Sequence, residues 1–595
     1  MDYPPQMHHQ ASFPCKPPPS HHSQNPIISN HLQPINSDSH TTMWLDDPYS
    51  VSNACPSQRD SGFNSRPASL RSIESTGTGP IHHGSTSVYE NIPSRLSNNP
   101  ENTYPQYTEL QPAPPPAKLP PAQIIAELLN LLIEDDSVIV REAVLLTHVL
   151  IREGGETRSE VIQNRELINT LLETFSKDIG DGQIIHALAS LFHSLSQQQE
   201  GLRVILDCGG ISRLISLLDS PDNTVNFVIT TLHNFLIVFQ DQASDEIERC
   251  DGIEKFINLL ERSNDKLLTL VSDSLLKMSI YNVKSKIFIQ NNEKCIRRLL
   301  YIFDTSTYDK LLLTISKLLP IISSGNELIK RIILQLNGLN IFEKHLRTTK
   351  SIRIRHNCLI TIRNISNQAT RMRDIDSLIQ KLATILLTDD HQSVICSLGI
   401  LNNLTADNRI NKSLFVKLNG VQTLMQKLLM NVDENDDLIE VVLCTLRHIT
   451  ARHDLENEAR ETIRKSYGIG NIIKLLRDKN FKEHWGILKA TVGLIKNLAI
   501  SSTIIPYLCE QNAVRRLIEL LIIIDRERLK ISEDNKLDIL LDIIIGALIN
   551  LAKDSSCRSI IKEMKCTPIF IRFSHLPSCS LQQSSNSLLN ELNID

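Results

Sequence analysis

From Gln123 onward, apolar and polar positions alternate with the 3.6-residue period of amphipathic helices, and the helices recur as a set. A glycine opens each copy. An apolar helix follows, then a short polar turn, then a longer apolar helix that ends in a small polar ladder. Gly209-Gly210-Ile211 begins one copy, which runs through L-I-S-L-L-D-S to T-L-H-N-F-L around Asn234. Gly252-Ile253 begins the next with I-N-L-L-E-R-S, and Gly338-Leu339 leads to T-I-R-N-I-S at Asn364. Later copies end in I-L-N-N-L-T at Asn403, T-L-R-H-I-T at His448, L-I-K-N-L-A at Asn497 and A-L-I-N-L-A at Asn550. From Asn364 these landmarks step by 39, 45, 49 and 53 residues, with the stretch from Asp525 to Asn535 widening a later copy.

Units of about forty residues with three helices each have the armadillo spacing. One unit cannot bury its apolar face alone, so neighbours stack and their third helices line one groove. The predicted fold is therefore all-α: an armadillo-repeat right-handed superhelix (an α-solenoid) of about eleven units.

The pattern is missing from the first 121 residues, which hold 21 of the 26 prolines and 8 of the 19 histidines. Such a segment cannot bury enough apolar surface to offset its chain entropy. The expected division is a disordered tail at 1–121, an armadillo domain at 122–570 and a truncated terminal repeat at 571–595. Up to Ala117 there are five Lys/Arg against nine Asp/Glu, and the remainder has 57 against 58. Any basic surface must be local, which argues against direct nucleic-acid binding.

The twelve cysteines lack C-x-x-C spacing and read as small hydrophobes of a reducing compartment. The apolar stretch Leu537 to Leu551 is broken by Asp538 and Asp542, and Met1 to Gln10 is polar, so neither membrane insertion nor a signal peptide is expected. No phosphate loop, nucleophile elbow or H-E-x-x-H occurs, and the paired tail histidines need no metal. No enzyme, cofactor or metal is expected.

The ladder carries the candidate chemistry. An Asn at one position of successive third helices returns to one surface, and its amide offers a donor and an acceptor to an extended peptide. Asn234, Asn364, Asn403 and Asn497 hold the place, with His448 substituting once. The competing possibility is that these residues brace neighbouring repeats; their regular spacing beside cations favours a ligand. His233, Arg363, Arg447 and Lys496 each precede a ladder residue. Lys412 follows Asn403 by nine residues, Lys286 holds the matching place in an earlier unit, and Lys317, Arg452 and Lys489 join the same faces. A row of cations in a cleft favours acidic extended segments.

At these residues the chain resembles the beta-catenin/Armadillo family. The carriers are H-W-G-I-L-K-A-T-V-G-L-I-K-N-L-A from His484, R-E-A-V from Arg141, V-I-T-T-L-H-N ending at Asn234, and T-L-R-H-I-T-A-R-H from Thr445. The resemblance implies that Lys286 and Lys412 grip paired acidic residues of partners. Those partners would be cadherin cytoplasmic tails, TCF/LEF transcription factors, APC and axin. In the tail, Asp60-Ser61-Gly62-Phe63-Asn64-Ser65 fits the family's D-S-G-x-x-S phosphodegron, followed by Ser69. Ser61, Ser65 and Ser69 would then be read by a kinase and by the F-box receptor of a ubiquitin ligase.

Departures narrow what is implied. Ile73 stands at the next priming position, and Lys16 is the one lysine before Lys118. Leu313 and Ile360 stand where the family has tryptophans, and Pro320 where it has a groove lysine. Pro112 to Pro121 cannot continue the helix that completes the alpha-catenin site, which disfavours alpha-catenin binding. Leu145, Leu146 and Leu150 keep the surface used by BCL-type coactivator adaptors.

The favoured function is a Wnt-pathway scaffold of cytoplasm and nucleus. The alternatives are an adhesion catenin at adherens junctions, or an attenuator lacking the family's C-terminal activation tail. An importin-alpha-like adaptor is disfavoured, since that family sets tryptophans one turn before its asparagines and this chain has only Trp44 and Trp485.

Overall fold

A computed structural model describes residues 120–175, 182–431, 436–530, 535–577 and 579–593. They all fall within one unit of the chain, Tyr49–Asp595. The tail at 1–121, with Ser61, Ser65 and Ser69, lies almost wholly outside the described residues.

Every regular element among the described residues is a helix. Each third helix packs on its counterpart in the next unit, in one unbroken series. In order they are Ser137–Glu153, Gly182–Leu195, Asp222–Val238, Asp265–Tyr281, Asp309–Ser323, Ile352–Ala369, His391–Thr405, Asp436–Ile449, Trp485–Leu498, Asn535–Ala552 and Ser580–Glu591. That series defines eleven units. The last contains three helices, Ser555–Glu563, Thr567–Ser574 and Ser580–Glu591, so the boundary expected after residue 570 falls inside its second helix.

Local chemistry explains where the helices begin. Several third helices are N-capped by a short polar side chain: Asp136 accepts from the Val138 N–H, Asn264 from those of Lys266 and Leu267, and Asp390 from Ser393. Second helices begin at the recurring glycine. A Cβ on Gly210, Gly252 or Gly338 would stand 2.3, 2.6 or 2.5 Å from the γ-methyl of Ile205, Ile247 or Ile333, five residues earlier. The preceding residue is left-handed, as at Gly209, Asp251 and Asn337. Between the units runs a core of fully buried Leu and Ile with Phe192, Phe235, Phe256, Phe303, Phe342 and Phe415.

Pro320 sits inside its helix, buried. Of the ten described cysteines, Cys295, Cys358, Cys396, Cys557 and Cys566 are buried and the others half-buried, none in a disulfide. Among the described residues no helix is long and apolar enough to cross a membrane.

Candidate peptide-binding surface on the third helices

The ladder asparagines come together on the third helices, and their amide nitrogens are already engaged. Asn234 Nδ2 donates to Ser196 Oγ at 3.0 Å, Asn403 Nδ2 to Ser366 Oγ at 2.8 Å, and Asn550 Nδ2 to the Lys496 carbonyl at 3.0 Å. Asn364 donates both to the Pro320 carbonyl and to Ser323 Oγ, each at 3.0 Å. Asn497 donates to the Arg447 carbonyl at 2.8 Å and to Thr450 Oγ1 at 3.1 Å. Each partner lies at the end of an earlier third helix.

An amide group has two N–H donors, and at Asn364 and Asn497 both are spent within the repeat stack. Asn364 and Asn497 are therefore braces between units with no amide N–H left for a ligand, unlike the donor-and-acceptor pair expected of them, while Asn403 and Asn550 each engage one N–H in bracing. The acceptors have a sequence signal. Ser196, Ser366 and Thr450 stand two residues after a ladder position, in H-S-L-S, N-I-S and H-I-T.

His448 braces differently. Its Nδ1 lies 3.2 Å from the Asn402 carbonyl, which can only accept, so Nδ1 carries the proton. Its Nε2 then receives Arg447, 3.3 Å away. Burial, followed by the charges of Arg447 and Lys412, pushes the imidazole down to about 3. His448 is neutral at physiological pH and does not belong to the row of cations.

Lys286 and Lys412 occupy equivalent places, on the first helices Val283–Asn291 and Arg409–Lys417. Lys286 Nζ reaches Ser324 Oγ at 3.2 Å and Lys412 Nζ reaches the Ala451 carbonyl at 2.9 Å, each at the C-terminal end of the next third helix. That end carries the negative pole of the helix dipole, a natural seat for an ammonium. Lys412 is only 4% exposed. Burial lowers its pKa, with Asp407 opposing and Arg452 adding to the fall.

Arg452 was expected on a helical face. It lies instead in the turn after Asp436–Ile449 with φ 64°, exposed, and its backbone N–H donates to Glu456. Lys489 is half-buried, its pKa lowered by burial and then by Arg447. Arg447 thus acts on both His448 and Lys489, and Lys412 links His448 to Arg452. These side chains form one basic cluster across units 8 and 9, extended by Arg363 on one side and Lys496 on the other. Among the described residues, Arg363, Lys412, Arg447, Lys489 and Lys496 make no ion pair with a carboxylate.

Units 1 to 5 differ. His233 Nε2 lies 2.6 Å from Asp273 Oδ2, and Lys277 approaches the same carboxylate at 3.7 Å. Burial raises the pKa of Asp273, but the hydrogen bond from His233 and the charges of His233, Lys277 and Lys317 outweigh it and hold the carboxyl below its ordinary range. His233 is accordingly committed to an internal acid, and Lys317 acts on the same acid through its charge alone. Further N-terminal, His186 and His193 flank the Phe227 ring with centroids 5.4 Å away. A cavity of about 740 Å³ opens there, lined by Arg141, Leu145, His148, His186 and Ser190 among others. Burial lowers the pKa of both His148 and His193.

Three residues that sequence reasoning missed lie beneath the cations. Gly399, Gly493 and Gly546 sit in third-helix interiors, each four residues before a ladder asparagine. A Cβ on Gly399 would stand 2.9 Å from Arg363 Nε, on Gly493 2.6 Å from Arg447 Cδ, and on Gly546 2.6 Å from Lys496 Nζ. Glycine in a helix interior costs about 1 kcal/mol relative to alanine. An isolated glycine at the same offset before a ladder residue is the signal that could have found them.

No family model matches the chain. Junction plakoglobin of Xenopus laevis is 32% identical over 480 residues, covering 79% of this chain and 63% of that protein. Catenin beta of Tripneustes gratilla is 33% identical over 485 residues, covering 79% of this chain and 58% of that protein. The chain is thus similar to junction plakoglobin and catenin beta over about four-fifths of its own length. It spans about three-fifths of the length of these relatives. Its fold also matches a solved structure from work on a phosphorylation switch controlling the interaction between cadherin and beta-catenin. The TM-score is 0.64 at 22% identity, covering 78% of this chain and all of that one. An engineered protein matches with a TM-score of 0.51 at 18% identity over 72% of this chain.

Proposed function

We propose that this catenin-like scaffold holds acidic, extended segments of partner proteins along its third helices, with the charge-reading part of the groove in units 6 to 10. The observation that carries the proposal is the set of cations there, Arg363, Lys412, Arg447, Lys489 and Lys496, with which no carboxylate of the described residues forms an ion pair, although Asp407 and Glu456 lie near Lys412 and Glu440 near Lys489. Burial makes the charges of Lys412 and Lys489 costly, and Arg452 and Arg447 beside them add to that cost, as their lowered pKa values record. An acidic ligand relieves that cost. Each exposed contact is worth only about 0–1 kcal/mol, so affinity accumulates along an extended segment.

Cadherin cytoplasmic tails fit this chemistry, as do acidic segments of TCF/LEF factors, APC and axin. Phosphates on such segments would add charge and acceptor oxygens for the arginines. Turnover through Ser61, Ser65 and Ser69, by a kinase and an F-box ubiquitin ligase receptor, completes a Wnt-pathway function in cytoplasm and nucleus. The second reading, an adhesion role at adherens junctions, is favoured by the likeness to junction plakoglobin.

Calorimetric titration of the full chain with a cadherin tail, a TCF N-terminal peptide and the alpha-catenin head domain tests the proposal. Binding of either acidic ligand that is lost on paired charge reversal of Lys286 and Lys412 supports it. Unchanged binding after that reversal overturns it. TCF binding without alpha-catenin binding selects signalling; cadherin together with alpha-catenin selects the junction.

A further inference from the structure

Why three third helices should carry an interior glycine needs its own explanation. Gly399, Gly493 and Gly546 do not lie at helix ends, and none has the positive φ that demands glycine. What they share is the neighbour above. The residue immediately before the ladder position of an earlier third helix crosses to each of them: Arg363 to Gly399, Arg447 to Gly493, and Lys496 to Gly546. At Gly399 the contact runs along the side chain, with Nε, Cδ and Cγ of Arg363 at 2.9, 3.3 and 3.6 Å from the place a Cβ would take. At Gly493 the nearest atom is the Arg447 Cδ, with Cγ at 3.5 Å; at Gly546 the Lys496 Nζ, Cε and Cδ follow at 2.6, 2.8 and 3.3 Å. In each case a cationic stem lies flat against bare helix backbone.

The same register elsewhere holds other pairs. His233 meets Asp273, which stands four residues before Lys277 just as Gly493 stands four before Asn497. There the residue crossing between units finds a carboxylate and is neutralised. Beneath Arg363, Arg447 and Lys496 the place that Asp273 fills is a glycine, although Arg363 also reaches the Cys396 side chain three residues earlier.

We propose that Gly399, Gly493 and Gly546 are positioning residues of the basic groove. Each lets the cation of the earlier unit lie down across the next third helix, which fixes the head group and limits the rotamers lost when a ligand binds. A methyl group there lifts the stem off the helix, and the cation becomes one more mobile surface charge. The ligand class is the acidic extended segment of the preceding section, and the inference rests on that proposal.

The test is a double-mutant cycle at Gly493 and Arg447 in the full chain, repeated at Gly546 and Lys496. The probe is a synthetic Asp/Glu-rich peptide of about twenty residues, titrated by calorimetry at several salt concentrations, with thermal unfolding recorded for every variant. Alanine is the better helix former, so on helix propensity alone Gly493→Ala raises the melting temperature. The expected result is a fold kept intact, affinity reduced about five- to tenfold, and a shallower dependence of log Kd on log salt. In the Arg447→Ala background the same substitution should change affinity less than twofold.

An equal loss in both backgrounds, or no loss with Arg447 present, overturns the positioning role. Arg447→Glu separates this failure from failure of the underlying function. If the charge reversal leaves the probe's affinity unchanged, acidic segments do not bind here. If it abolishes binding while Gly493→Ala does nothing, the groove stands and only the glycine's role falls. Should Gly493→Ala lower the melting temperature sharply, the Gly546→Ala arm decides, because only the flexible end of Lys496 must move there.

Discussion

The two halves of the third-helix face use the same register for opposite ends. In the N-terminal half the residue crossing between units is a histidine: His233 is bonded to Asp273, and His193 packs on Phe227. In the C-terminal half it is Arg363, Arg447 or Lys496 lying over a glycine. At this register the first half sets a histidine against an acid or a ring, while the second sets a cation over bare helix backbone. A repeat architecture makes this possible, because stacking is secured by the apolar core and the ladder amides whichever side chain occupies the crossing position. Recognition can then vary from unit to unit without disturbing the stack.

The comparison breaks most visibly under charge reversal. Glutamate at Arg363, Arg447 and Lys489 together should weaken an acidic peptide about 100-fold or more by calorimetry, whereas glutamate at His193 should change it less than about threefold. Similar losses from both halves would erase the distinction.

Next in size is the ladder. Asn364→Ala removes two hydrogen bonds and leaves the Pro320 carbonyl and Ser323 Oγ with only the bond between them, at a cost of about 1–3 kcal/mol in urea unfolding. Asn234→Ala should cost less, since one of its two bonds is long at 3.5 Å. Equal costs would mean that bracing is uniform along the stack.

Acid sharpens the contrast from another side. The folded chain holds His448 near 3 while an unfolded histidine titrates near 6.5, so between those values the unfolded state binds the extra proton. Stability is therefore present above about pH 6.5 and lost as pH falls, by about 2 kcal/mol between pH 7 and pH 5. Chemical denaturation across that range should show the loss, and His448→Asn should flatten it. The smallest effect is expected at Arg452: exposed in its turn, its replacement by alanine should move affinity or stability by less than about 1 kcal/mol.

Much of this was legible in the chain. Helical period, glycine punctuation and a recurring polar ladder near forty residues determined an armadillo solenoid. The likeness of the segment from His484 to Ala499 pointed to the catenins. These are local or periodic properties, and periodicity survives in one dimension. Equivalent positions could also be matched by spacing, as the parallel seats of Lys286 and Lys412 show.

Which partner each ladder group takes could not be read that way. The Asn497 amide meets the Arg447 carbonyl 50 residues earlier in the chain, and only the packed third helices bring them together. His448 was read as taking the ladder place of an asparagine, and spacing could not show its protonation state. Only burial beside Arg447 and Lys412 fixed it as neutral. The glycines carried no meaning in sequence until a side chain from another unit was found lying on them. The sequence by itself determined the repeat and its likeness to the catenins, because both depend on pattern along the chain. The tertiary structure decided which charges remain available, because that depends on desolvation and on neighbours contributed by other units.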